Sequence, residues 1–79
     1  MTAPHAVLEA ARTGAGMSFS ELWFAYFALG GAAEPDVLRS YLRGLHTGAF
    51  DYDVVAHAIN ERYREQGLNH PVPYLDELD

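Results

Sequence analysis

The sequence predicts an all-α fold, a small bundle of three to four helices with an extended C-terminal tail. Three features carry that reading. Apolar residues recur at helical spacing along the chain; glycine and proline punctuate the ends of those stretches; and one helix start carries a complete capping-box sequence. All 79 residues fit a single domain, with helices expected at about 4–12, 18–29, 35–44 and 51–66 and a tail over 69–79.

The first helix opens at Pro4, whose fixed φ suits a first helical position, and carries a thin stripe of Val7, Leu8 and Ala11 before Gly14 and Gly16. The second has the strongest start signal. Ser18 and Glu21 stand three apart, as a reciprocal cap requires, and Met17 and Leu22 are placed to form the accompanying staple. It stops at Gly30–Gly31. Trp23, Phe24, Tyr26, Phe27 and Leu29 leave almost no side of this helix polar, so it is expected either to be central or to face another chain.

Pro35 and Asp36 suit the first turn of the third helix, and Val37, Leu38, Tyr41, Leu42 and Leu45 form its stripe, with Arg39, Ser40 and Arg43 outside it. Gly44 ends it, and a short loop containing Gly48 leads to Asp51, the expected cap of the last helix. That helix has an inner stripe of Val54, Val55, Ala58, Ile59, Arg62 and Tyr63; Asp53, His57, Asn60, Glu61, Arg64 and Glu65 read as solvent-facing. Gly67 and Leu68 fit a Schellman ending, with Leu68 folded back on Tyr63. Pro71 and Pro73 hold the tail extended; it is expected to pack across the helices through Tyr74 and to fray beyond, although Leu75 and Leu78 are apolar for an idle end.

Composition narrows the function. A chain this short buries only about 60% of its unfolded surface, which leaves little for a catalytic pocket. There is no cysteine, hence no disulfide or thiolate site, in keeping with a reducing, cytoplasmic setting. No signal-peptide pattern stands at the N-terminus, and Leu22–Leu29 is far short of the roughly 20 residues of a membrane span. The formal charge is −6, with arginine the only basic side chain apart from histidine, a balance that repels phosphate backbones and anionic lipid.

No hydrolase, phosphate-loop or metalloprotease motif is present, so no enzyme activity and no catalytic or cofactor site is expected. Asp53, His57 and Glu61 share i, i+4, i+8 spacing, but a helical surface explains them without a metal; His5, His46 and His70 have no ligand spacing.

The expected function is therefore a non-enzymatic protein–protein interaction module, a small regulator or adaptor whose partner is another protein or a second copy in a homodimer. Aromatics and arginine are the usual interface anchors, and Phe19, Phe24, Arg39, Arg43, Tyr52 and Tyr74 are the candidates; Trp23, Phe27, Tyr41 and Tyr63 are assigned to the core. The spacing of Arg39 and Arg43 could dock an acidic partner or a phosphate. One alternative is a helix-turn-helix nucleic-acid binder that uses those arginines on the 35–44 helix, against which stand Glu34 and Asp36 at the reading end. Another is an acidic nucleic-acid mimic built on Asp51, Asp53, Asp76, Glu77 and Asp79.

Overall fold

Four helices follow one another: α1 (Pro4–Gly14), α2 (Phe19–Ala28), α3 (Pro35–Leu42) and α4 (Tyr52–Glu65), with a 3₁₀ turn at Leu75–Glu77. The computed structural model describes residues 3–46, 50–69 and 71–78; Gly48, His70 and Asp79, invoked above, lie outside them. Among the described residues there is no strand, and no helix is long and apolar enough to cross a membrane.

Local chemistry sets the ends of α2. Ser18 Oγ accepts from the Glu21 amide at 3.1 Å, and Glu21 Oε1 accepts from the Ser18 amide at 2.8 Å, which closes the capping box. Met17 and Leu22, the expected staple pair, are both buried. At the other end Gly30 takes a φ of 94°, and the Gly31 amide reaches back to the Tyr26 carbonyl at 3.0 Å, a Schellman closure. The same closure ends α4, where the Leu68 amide donates to the Tyr63 carbonyl at 2.9 Å, although the Leu68 side chain stays exposed.

The centre of the bundle is α4, not α2. Both α1 and α2 lie against α4, and α3 packs on α1 and α2. Tyr52, Val55, Ala56, Ala58, Ile59 and Asn60 of α4 are all buried, whereas α2 buries only Leu22 and Tyr26. Leu8 of α1 and Leu38 and Leu42 of α3 complete the middle of the core. Each fully buried aliphatic contributes about 1.5–3 kcal/mol, so few can be spared in a chain of this length. Leu45, placed on the α3 stripe by its spacing, lies beyond the helix end and is exposed.

Tyr26 links three elements. Its ring is fully buried, its hydroxyl accepts from the Ala33 amide at 2.9 Å, and it donates to Asp51 Oδ2 at 3.3 Å. Asp51 thus serves Tyr26 and makes no side-chain cap to α4, contrary to its expected role.

The tail is part of the core. Val72 is 2% exposed, and its backbone is gripped by the buried Asn60 side chain: Nδ2 donates to the Val72 carbonyl, and Oδ1 accepts from the Val72 amide, both at 3.0 Å. Asn60, read from its spacing as solvent-facing, therefore faces inward, because the tail covers a second side of α4. Tyr74 is half-buried and Leu78 packs on the core beyond it, so packing continues past the point where fraying was expected.

Candidate interaction surface

Because Leu22 and Tyr26 turn α2 inward, the residues on its other side are left uncovered. Phe24 is 66% exposed and Phe27 60%, and Leu29 at the end of the helix is also exposed. Trp23 is half-buried between them: it stacks on Phe27 at 5.2 Å between ring centres and meets Phe24 edge-on at 5.5 Å. Its indole nitrogen donates to the Ala33 carbonyl at 3.3 Å, which fixes the ring. The result is an aromatic ridge that carries no charge of its own, since Glu21, the one charged residue of α2, is held by Ser18 and by Arg62. The Ser18 amide and then Arg62 keep the Glu21 carboxyl below its ordinary range.

Beside the ridge runs a shallow groove of about 300 Å³, lined by Phe19, Ser20, Trp23, Phe24, Pro35 and Arg39. The Arg39 guanidinium lies 4.3 Å above the centre of the Phe19 ring, a cation–π contact that draws this side chain toward α2. A smaller cleft of about 140 Å³ adjoins it, lined by Arg12, Arg39 and Arg43 together with Glu9, which pairs with Arg12.

The structure divides the expected interaction residues. Phe24, Arg39 and Arg43 are exposed, and Phe19 is half-buried beneath Arg39. Tyr52 is a core residue, 3% exposed, whose hydroxyl donates to the Pro73 carbonyl at 2.8 Å; it offers no surface to a partner. Tyr74 sits on α4 beside His57, its hydroxyl 3.1 Å from Nδ1, and does not line the α2 groove. Phe27, assigned to the core from sequence, belongs to the ridge, and Trp23 contributes part of its surface. The staple held the signal that places them: with Leu22 inward, Tyr26 falls beneath it one turn on, and Phe24 and Phe27 fall on the outside.

The Asp53, His57, Glu61 face of α4 is where the tail docks. Asp53 Oδ1 accepts from the Leu75 amide at 2.7 Å, and His57 Nε2 lies 3.0 Å from Glu61. Among the described residues no three histidine or acidic side chains converge on a metal position. Of the acidic cluster, Asp51 meets Tyr26, Asp53 the Leu75 amide and Glu77 the Tyr74 amide, while Asp76 is exposed.

A separate groove of about 440 Å³ lies between α1 and the tail and is lined by small apolar side chains with Tyr63. Comparison with family models, with known proteins and with solved structures finds no match to this chain.

Proposed function

We propose that the chain is a non-enzymatic protein–protein interaction module, a small regulator or adaptor that receives its partner on the aromatic ridge of α2. The observation that carries this reading is the exposure of Phe24 and Phe27 beside the stacked Trp23. A ring of roughly 200 Å² left about two-thirds open costs hydration free energy that a partner would recover. Contiguous apolar surface of this kind marks interaction sites, and aromatic side chains supply most of the binding energy at such sites. The pinned indole adds to the reading, because a ring already held in place loses little conformational freedom on docking.

A photo-crosslinking amino acid placed at Phe24 in the cells that make the protein tests the proposal, with the same group at exposed Arg64 on α4 as the control. The expected outcome is one discrete adduct from position 24, reduced when Phe27 is also changed to Ser, and none from position 64. Equal labelling at both positions, or none at position 24, rejects the ridge as the contact surface.

A further inference from the structure

Arg39 borders two features at once. On one side it closes the apolar groove with Phe19, Trp23, Phe24 and Pro35; on the other it faces the cleft that also holds Arg12 and Arg43. Arg12 is already committed, 2.5 Å from Glu9 and donating to the Met17 carbonyl at 2.7 Å. Arg39 on α3 and Arg43 at its C-cap, four residues on, have no carboxylate partner among the described residues. Three guanidiniums and one carboxylate give this cleft a charge of +2 on a chain of −6. Its basic character is thus local, and it shares Phe19 and Arg39 with the apolar groove beside the ridge.

The chemistry of Arg39 suits carboxylate recognition. Its cation–π contact with Phe19 uses none of the guanidinium's N–H donors as hydrogen bonds, and those donors form the planar fork that a carboxylate matches in bidentate fashion. At physiological ionic strength the screening length is about 8 Å, so these two arginines outweigh more distant acids in setting the preference of anything seated in the groove. Glu34 and Asp36, exposed at the start of α3, line neither the groove nor the cleft.

We infer that the groove takes an acidic amphipathic segment of a partner protein, with apolar side chains against Trp23 and Phe24 and carboxylates on Arg39 and Arg43. The inference rests on the reading of the ridge as an interaction surface and adds the chemistry of what it receives. Recognition is by an apolar stripe at helical spacing flanked by acid on one side, the form in which a helix fills a groove.

The probe is a random peptide library displayed on phage and selected against the intact chain. Recovered sequences are then synthesised and titrated by fluorescence anisotropy. The expected result is enrichment of Asp and Glu next to aromatic or aliphatic pairs three or four residues apart. Phe24→Ser should abolish binding, and Arg39→Glu with Arg43→Glu should weaken it about tenfold or more. Arg39→Gln with Arg43→Gln, which removes charge without reversing it, should give a smaller loss in the same direction; thermal melts confirm that each variant is folded. Peptides that need Phe24 but show no acid enrichment and ignore the arginine changes overturn the acidic-segment inference and leave the ridge intact. Failure to recover any peptide sensitive to Phe24→Ser removes both readings. A dimer in sedimentation that Phe24→Ser converts to monomer, or duplex DNA binding that depends on Arg39 and Arg43, also overturns the inference, by assigning the surface to a second copy or to phosphate.

Discussion

Asn60 is fully buried and has both halves of its carboxamide engaged by the Val72 backbone. Asn60→Leu, which keeps the number and branching of side-chain heavy atoms, strands the Val72 amide and carbonyl and should lower stability by about 2–3 kcal/mol in urea unfolding. Tyr52 gives a pH-dependent counterpart. Burial pushes its phenol from the ordinary 10.0 up to about 12. Its contribution is fully present below pH 10, where folded and unfolded chains both hold the proton. It is lost as pH rises through that window, because the unfolded chain releases the proton first. The melting temperature should therefore fall above pH 10. Tyr52→Phe should flatten part of that fall, with the buried Tyr26, also raised, accounting for some of the remainder. At this scale the sequence is read least well. Tyr26 and Phe27 are neighbours of similar size, and which of them turns inward follows from where α2 meets α4, a tertiary fact. Asn60 looked exposed because helical periodicity describes one buried face, whereas the returning tail gives α4 a second.

Each helix of the bundle was legible in outline, because caps, prolines and glycines act within a few residues of themselves. The Ser18–Glu21 box formed as read, while the bounds of α1 and α3 moved by up to two residues, as helix ends do. Ser18→Ala should cost about 1 kcal/mol and speed amide hydrogen exchange in the first turn of α2 more than elsewhere. The joint between α2 and α3 is held more tightly. A Cβ on Gly31 would stand 2.3 Å from the Tyr26 ring, which is buried and cannot withdraw. Gly31→Ala should thus destabilise by about 1–3 kcal/mol in thermal or urea melts. The role expected of Asp51 was the element-scale miss, since a residue type favoured at caps also satisfies a neighbouring hydroxyl when tertiary contact offers one.

For the whole molecule, the material of the core was visible in the sequence but its centre was not. Composition could not tell a helix covered on several sides from one left partly bare; only the packing of α1, α2 and the tail around α4 separates them. One comparison checks that assignment. Phe24→Ser should change stability by no more than about 0.5 kcal/mol, as surface positions do, while Leu22→Ala on the same helix should cost about 2–5 kcal/mol. A matching loss at position 24 would return Phe24 to the core. The single tryptophan of the chain, half-sunk and stacked on the ridge, makes the molecule its own indicator. Covering the ridge dries the indole and moves its emission to shorter wavelength; unfolding wets it and moves emission the other way. Occupancy and loss of structure therefore carry opposite colours in one unlabelled sample.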